Sequence, residues 1–557
     1  MRMRNVPKGR KVPKGLGLRE PLRHPDHPRP TTRRQFLSQG FMAGGASVLL
    51  PSIASLLANP RMANAQPPLV SDIAAAVTSC GIKAGAGMIP FICFDLSGGA
   101  NIAGSNVLVG GPTGQMDFLS VAGYSKLGLP GTMVPNASAT GNFINASMQL
   151  RYHSDSAQMR GIQNRFKNTA QMANVTGTII PALSQNDTNT NPHNPMYAIW
   201  QAGARGALLD LIGTDSSVSG GNSMAPPNMV NVLAQPTKIS SGQDTAGLVS
   251  TGQLSTLLPP PSNPNTPSDV TNVLESMKRI SDAKLASQFS NAYVDPTAQA
   301  NAMSAQACAY TKAAYLLNRY PSSSAVDPDF DSLIVGASGS IFTTAEYQSN
   351  NNYQMTAAVM KLVINGDAAA GTIELGGNDY HTGDRSTGET RDFNTGECIG
   401  AVLQYAAAKG KPVMIYVFSD GSLASDGTID NSMGGRGKGV WTADNQNVAA
   451  TYFLVYNPAG RATSAQPGGV EASLQLGYFN ADGSQNTTAT PAGNNVPNLV
   501  QMVTLNYLAL HSANDLARWP TLWPNPNTIN TLGSGSALDP LVAWNPLTGL
   551  TNGRVLG

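Results

Sequence analysis

Three aspartates follow short apolar runs of the sequence. Asp95 and Asp420 each come within two residues of such a run, and Asp379 lies four residues past a third. Each run is too short for an average helix and is typical of a strand buried on both faces in a parallel sheet. Because the carboxyl ends of parallel strands meet at one edge, we expect the three carboxylates to converge there. Like charges held together are costly, so the pattern predicts a divalent cation among them.

A histidine accompanies one of these aspartates. His381 lies two residues after Asp379, and Gly376 and Gly377 precede the pair. An imidazole added to carboxylates gives a mixed nitrogen and oxygen ligand set, which suits Zn²⁺ or Mn²⁺ better than Ca²⁺. The alternative is structural, because an aspartate after a strand is often only a helix cap or a turn residue.

A candidate nucleophile stands beside Asp95. Ser97 precedes Gly98 and Gly99, whose backbone N–H groups could stabilise charge on a transferred group. His193, in a polar loop before a helix, is available as an assisting catalytic residue or a further ligand. His153 and His511 are expected to be structural.

A second glycine-rich segment is basic. Arg436 and Lys438 lie within residues 434–439, whose backbone N–H groups could cradle an anion. The spacing differs from that of a P-loop, so it predicts no nucleotide site. The alternative is a mobile surface loop.

The elements that position these residues form an alternating pattern. A helical pattern from Phe393 to Ala406, closed by Gly410, lies between two of the apolar runs, and a strand–helix–strand unit requires parallel strands. The sequence therefore predicts an α/β fold with a mostly parallel central sheet flanked by helices. The strands are expected at residues 88–94, 175–183, 372–375, 412–418 and 449–455.

The chain is expected to have five parts. A Pro- and Asn-rich linker introduces three helical patterns, the last of which begins at a capping box of Thr343 and Glu346 and ends at Gly366. The expected parts are a signal peptide (1–65), the first part of the α/β core (66–257), a linker and helical insertion (258–366), the second part of the core (367–512) and an irregular tail (513–557).

The charge of the chain is unevenly distributed. Of 35 Lys and Arg residues 12 lie in residues 1–65 beside two acids, so the remainder of the chain is acidic. An acidic body without a basic stripe argues against nucleic-acid binding. The apolar content of 41% is too high for wholesale disorder.

The amino-terminal segment resembles a twin-arginine export signal. Arg33 and Arg34 precede an apolar stretch that ends in Ala63-Asn64-Ala65, a cleavage pattern. A membrane anchor is the alternative, but Gly, Ser and an interior Pro make this stretch a poor spanning helix. We expect export by the twin-arginine machinery to the periplasm, cell surface or medium, with no stable membrane span after cleavage.

Replacing Arg33 and Arg34 with lysines is expected to leave the precursor in the cytoplasm, because the twin-arginine machinery reads that pair. Cell fractionation with an antibody to the body of the protein measures this. Efficient export of the double variant would remove the assignment.

The four cysteines, at positions 80, 93, 308 and 398, are far apart and contain no C-x-x-C pair. One or two disulfides and four buried thiols remain alternatives at this stage.

The order of these motifs resembles a group of twin-arginine-exported bacterial proteins. Their common part is a domain of unknown function related to the alkaline phosphatase and sulfatase superfamily. The matching segments, in order, are Leu96 to Asn101, Pro192-His193, Gly376 to His381 and Ser419-Asp420-Gly421.

The resemblance implies an alkaline-phosphatase-like fold and a metal-dependent hydrolase of phosphate or sulfate esters. Its metal ligands would be Asp95, Asp379, His381 and Asp420. Two departures bear on activity: the Arg436–Lys438 loop stands where the group has an Asp-His-Gly, and Asn101 stands where an Asp is usual. The alternative function is that of a non-catalytic exported protein that keeps the fold and a degenerate metal site. Such a protein would bind a glycan or a protein partner, or serve a secretion or surface assembly.

Overall fold

A computed structural model of the chain describes most residues from Gly87 onward. The predicted signal peptide, Cys80 and the linker at 258–267 lie outside the described residues. The described ranges are 87–136, 142–184, 192–214, 225–231, 234, 236–249, 269–289, 296–320, 323–523 and 526–555.

A seven-stranded sheet organises the fold. Its spatial order is β2-β7-β6-β1-β5-β3-β4, and β7 alone runs antiparallel to the other six strands. The α/β class and the mostly parallel sheet are therefore confirmed. The strands are β1 (Phe91–Asp95), β2 (Val175–Pro181), β3 (Leu209–Thr214), β4 (Pro236–Ile239), β5 (Ala368–Glu374), β6 (Val413–Phe418) and β7 (Ala450–Tyr456).

All five predicted strands are present, with one difference in direction. The strand predicted at 449–455 is β7, and it lies antiparallel between β6 and β2. Its carboxyl end therefore points to the opposite edge of the sheet from the candidate site. An apolar run buried on both faces reads the same in either direction, which is why the sequence pattern did not reveal this orientation.

Helices cover both faces of the sheet. The helix predicted between two strands is α10, and its carboxyl end is followed by Gly410 at φ 62°. The helices are α1 (Val121–Lys126), α2 (Ala157–Arg165), α3 (Thr169–Met172), α4 (Met196–Gln201), α5 (Asp244–Gly247), α6 (Asp269–Phe289), α7 (Pro296–Arg319), α8 (Thr344–Ser349), α9 (Asn351–Ile364), α10 (Ser386–Ala408), α11 (Gly469–Leu474), α12 (Val496–Ala509), α13 (Ala513–Leu516) and α14 (Pro526–Ile529).

The third helix predicted in the insertion is two helices. Thr343 and Glu346 form the predicted capping box at the start of α8. The chain then becomes extended at Asn350 (φ −132°, ψ 108°), whose side chain caps α9. The prediction of one continuous helix was wrong, because Asn350 interrupts a pattern that otherwise has helical spacing.

The two faces of the sheet bury separate apolar cores. Along β1, Ile92 and Phe94 join the core beneath α2, α9 and α10, whereas Phe91 and Cys93 join the core beneath α4 and α12. This alternation follows from the two-residue repeat of a strand.

The chain divides into two compact units. The sheet and the candidate site belong to the unit that contains residues 311–557. In the described part of the other unit, at 272–310, Lys278 pairs with Asp282 at 3.0 Å, and the hydroxyls of Ser281 and Tyr310 lie 3.2 Å apart. No described helix is long and apolar enough to cross a membrane.

The tail after residue 512 has short helical turns and packs on the sheet. Trp519, Trp523 and Trp544 are buried in the same core as α12. The indole N–H of Trp544 donates to Thr178 of β2 at 2.8 Å.

Candidate functional site

The site begins where β1, β5 and β6 end side by side. The N–H of Leu96 donates to the carbonyl of Phe418 at 2.9 Å, and the N–H of Leu375 donates to that of Asp95 at 2.8 Å. Backbone hydrogen bonds thus continue to join the three chain segments just beyond the ends of their strands. This is the edge at which parallel sheets bind ligands.

Gly98 lies where the turn after β1 meets the loop after β5. Its φ is 114°, and a Cβ added there would lie 2.6 Å from the backbone nitrogen of Asp379. The neighbouring Gly99, at φ 106°, would place a Cβ 3.4 Å from the backbone nitrogen of Ser422. The two glycines therefore let the β1 turn fit between the loops that follow β5 and β6.

A three-residue cluster lies on the loop after β5. Asp379, His381 and Asp444 each offer one ligand atom, and these atoms lie within 4.8 Å of one another. The Nδ1 of His381 contacts a carboxylate oxygen of Asp379 and lies 3.2 Å from Oδ1 of Asp444. His381 is half-buried and the two carboxylates are more exposed. Two oxygens and one imidazole nitrogen fit Zn²⁺ or Mn²⁺, with room for further ligands from solvent or substrate.

Asp444 reaches this cluster through a small two-stranded sheet that is separate from the central one. Leu423–Ala424 pairs antiparallel with Ala443–Asp444, and Leu423 stands opposite Asp444. The N–H of Gly383 donates to the carbonyl of Trp441 at 2.9 Å, which ties the β5 loop to the same segment. Sequence reasoning missed Asp444, because a two-residue strand carries no readable period.

The four predicted ligands do not form one group. Asp379 and His381 come together, whereas Asp95 and Asp420 are fully buried and lie outside the cluster with Asp444. The Oδ1 of Asp420 accepts the N–H of Gly98 at 2.8 Å. In the described part of the chain, Asp379, His381 and Asp444 are the one cluster of three or more such side chains with ligand atoms this close.

Asp95 has a second carboxylate beside it. Glu374 of β5 and Phe418 of β6 stand opposite Asp95 in the two neighbouring registers, and Glu374 is 9% exposed. Sequence reasoning also missed Glu374, although it is the last residue of its strand, as Asp95 is of β1. Glu374 thus lies among the carboxylates at this edge, and its place at the end of an apolar strand could have identified it.

Ser97 and His193 do not contact each other in the way a serine and its base would. The N–H of Ser97 donates to Leu375 at 3.2 Å, and its carbonyl accepts from Asn378 at 3.0 Å. The Nε2 of His193 lies 3.3 Å from the hydroxyl of Ser184 instead. Ser184 follows β2, just as Asp95 ends β1. Its position after a predicted strand is the sequence feature that could have identified it as a site residue.

Ser184 and burial define the surroundings of His193. The hydroxyl of Ser184 donates to the carbonyl of Ser419 at 3.2 Å, which uses its one hydrogen. The Nδ1 of His193 meets no hydrogen-bond partner among the described residues. Burial lowers the pKa of His193 to about 3, so the ring is neutral at neutral pH.

The two basic residues predicted to hold an anion are bound to carboxylates. Arg436 donates from Nε and Nη2 to Asp155, and the fully buried Lys438 lies 2.8 Å from Oε1 of Glu389. Gly98 likewise uses its N–H on Asp420. An incoming anion at any of these groups would have to displace a carboxylate that already occupies it.

Asn101 has a structural environment. Its Nδ2 donates to the carbonyl of Leu423 at 3.3 Å, and its Oδ1 accepts from Ser105 at 3.1 Å. Its N–H donates to the hydroxyl of Tyr380 at 3.1 Å, and that hydroxyl donates to Asp392 at 3.2 Å. Tyr380 lies between Asp379 and His381 in the chain, so these bonds fix the loop that carries both.

Asp392 makes this network sensitive to pH. Burial, and to a smaller extent the nearby Glu389, raises the pKa of the Asp392 carboxyl to about 7, above the ordinary aspartate value. The folded protein therefore holds this proton more tightly than the unfolded chain does. The contribution to stability is complete below about pH 4 and is lost as the pH rises to about 7.

We expect Asp392→Asn to flatten this dependence. In the wild type the free energy of unfolding should fall between about pH 4 and 7 by at most about 4 kcal/mol from this group, whereas the neutral variant lacks the term. Urea denaturation at a series of pH values measures both slopes. Parallel slopes for the two proteins would contradict the assignment.

His153 and His511 are structural, as expected. Both are buried, the Nε2 of His511 accepts the N–H of Ile89 at 2.9 Å, and the Nε2 of His153 lies 2.8 Å from the carbonyl of Met133. Cys308 is disulfide-bonded, whereas Cys93 and Cys398 are buried free thiols.

The chain matches no model of a known family, no curated protein and no solved structure when compared with each.

Proposed function

We propose that this protein is an exported, metal-dependent hydrolase of phosphate or sulfate monoesters with an alkaline-phosphatase-like core. The observation that carries the proposal is the cluster of Asp379, His381 and Asp444 beside the joined ends of β1, β5 and β6. Two carboxylates and an imidazole within ligand distance are the donor set of a catalytic Zn²⁺ or Mn²⁺ rather than of a structural one.

The cation held there would supply Lewis acidity toward an ester oxygen. The chain's own contribution is orientation. Tyr380 is fixed by Asn101 and Asp392, and Gly98 lets the β1 turn approach the loop within a distance that no larger residue allows. In the proposed site Ser97 is the nucleophile candidate, because it precedes this turn and its backbone is held by Leu375 and Asn378.

The buried residues behind the turn play a positioning part. Asp420 holds the N–H of Gly98, and Ser419 accepts the N–H of Ala100 at 2.8 Å while donating to Leu96 at 2.7 Å. These bonds fix the backbone of the turn on both sides of Gly99. Preorganised donors and ligands of this kind cost no reorganisation during a reaction.

A second candidate is a non-catalytic binding protein that keeps the fold. It is favoured by the carboxylates that already occupy Arg436, Lys438 and the N–H of Gly98. In that case the cluster would hold a cation without turning over an ester.

An assay of metal-loaded protein tests the proposal. The protein, reconstituted with Zn²⁺ or Mn²⁺, is expected to hydrolyse an aryl phosphate or an aryl sulfate, and chelator should stop the reaction. Asp444→Asn should reduce the rate as strongly as His381→Ala, because both remove a ligand. Absence of turnover with both esters, despite bound metal, would favour the binding protein.

A further inference from the structure

An open polar groove lies between the amino-terminal ends of α9 and α10. Its volume is about 440 Å³, within the range of small-molecule sites. The lining residues are Asn350, Asn352, Ser386, Thr387, Thr390, Arg391 and Asn394.

The groove is built by helix geometry. On α10, Thr387, Arg391 and Asn394 recur at helical spacing and so share one face. The Nδ2 of Asn352 on α9 donates to Oδ1 of Asn394 at 2.8 Å, which joins the two walls. The side chain of Asn350 accepts the N–H of Asn352 at 3.0 Å, so the first turn of α9 is also fixed.

The chemistry of the lining is specific. The amides of the lining supply donors and acceptors. The hydroxyls of Ser386 and Thr387 already donate to Asp384, and that of Thr390 donates to the carbonyl of Ser386, so these hydroxyls offer a ligand their lone pairs. The lining itself contains no aspartate, glutamate or aromatic residue. Such a wall is suited to a ligand with many hydroxyl groups and offers little to an apolar one. The single charge is the guanidinium of Arg391.

Arg391 differs from the other cations near the site. It is exposed and takes part in no ion pair among the described residues, whereas Arg385, Arg436 and Lys438 are all paired with carboxylates. Its guanidinium lies against Gly377, where an added Cβ would be 3.1 Å from Cζ. Gly377 belongs to the loop that carries Asp379 and His381, so Arg391 contacts the same loop that carries two residues of the candidate metal cluster.

We infer that this groove binds the sugar part of an anionic saccharide ester, with Arg391 as the residue that recognises the negative charge. A guanidinium presents two parallel N–H donors that match the oxygens of a phosphate or a sulfate group. The inference rests on the proposed function for the view that this ligand is a substrate. It names sugar monoesters as the substrate class of that hydrolase.

Binding to the full chain in the presence of chelator tests the inference. Isothermal titration with glucose 6-phosphate and glucose 6-sulfate is expected to give saturable binding by at least one ester, and the two esters separate phosphate from sulfate as the source of the charge. Glucose and inorganic phosphate or sulfate should each bind at least about tenfold more weakly, because each lacks one half of the contacts.

Two variants and a control locate the binding. Arg391→Gln should weaken ester binding by about 10- to 100-fold, since hydrogen bonds to charged groups are worth about 1.5–3 kcal/mol. Thr390→Glu, which adds a like charge to the groove wall, should also weaken it. Lys167→Gln removes an exposed charge elsewhere and should leave it unchanged.

Absence of binding by both esters, or equal affinity of the wild type and Arg391→Gln, would overturn the inference. Equal affinity for the inorganic anions and the esters would overturn the saccharide assignment. Because chelator removes the metal, a failed hydrolase proposal leaves this binding intact. Conversely, hydrolysis of aryl esters by a protein that binds neither sugar ester would overturn this inference and leave the proposed hydrolase standing.

Discussion

Chelation of the wild-type protein is expected to lower its melting temperature by several degrees, and Zn²⁺ or Mn²⁺ is expected to restore it. A cation present at about 100 times its dissociation constant stabilises the folded state by about 2.7 kcal/mol through mass action. The effect is specific to the cluster of Asp379, His381 and Asp444, because the ligand atoms of these residues lie within 4.8 Å. Thermal melts with and without chelator measure it.

His381→Ala should abolish the response to metal while leaving the apoprotein folded, because His381 is only half-buried. The matched control is His153→Gln, which alters a buried histidine away from the cluster. That variant should lower the melting temperature with and without metal by the same amount. A wild-type melt that responds neither to chelator nor to added metal would contradict the assignment of Asp379, His381 and Asp444 as a metal site.

Gly98→Ala is expected to destabilise the protein by about 2–4 kcal/mol and to remove the response to metal. An alanine at φ 114° is strained, at a cost of about 1–3 kcal/mol. The added Cβ would also lie 2.6 Å from the backbone nitrogen of Asp379, so the loop that carries Asp379 and His381 must move. Urea denaturation and the metal-dependent melt measure the two effects.

Gly376→Ala is the matched control on the same edge. Its φ is not positive, and no heavy atom outside its immediate neighbours lies within 4 Å of an added Cβ. It should keep both the stability and the metal response of the wild type. If Gly98→Ala behaves in the same way, the close approach of the β1 turn to the β5 loop is not part of the site.

The sheet was predictable because its central strands are continuous apolar runs. β1 and β6 were identified within a few residues, and Asp95, which ends β1, and Asp420, which follows β6, lie at the same edge of the sheet. The outer strands β3 and β4 were missed, since their first residues are half-buried and Lys238 is exposed. A weakly apolar edge strand has neither a continuous nor an alternating pattern.

The grouping of site residues was less predictable than the strands. A residue that follows a strand lies at the edge of the sheet, but the direction of its side chain determines which other residues it contacts. Asp95 and Asp420 turn inward and are fully buried, whereas Asp379 remains exposed and meets Asp444. That meeting depends on a two-residue strand pair that carries no local signal.

The two cations of the basic loop, Arg436 and Lys438, form ion pairs with residues distant in the sequence. Arg436 bonds to Asp155, which is 281 residues earlier in the chain, and Lys438 bonds to Glu389. No sequence feature near the loop indicates these partners. The spacing of the glycines and cations alone therefore predicted that Arg436 and Lys438 could bind an anion. Arg391, by contrast, was not identified from the sequence as a binding residue, because it lies within a helical pattern that gave no reason to single it out.

Anomalous diffraction at the zinc absorption edge tests the central claim most directly. Crystals of the protein soaked in Zn²⁺ at low concentration should give one strong peak bonded to Asp379, His381 and Asp444. Crystals of His381→Ala under the same conditions should lose it. Wild-type crystals with no peak at this cluster, or with a peak only at other residues, would contradict the account.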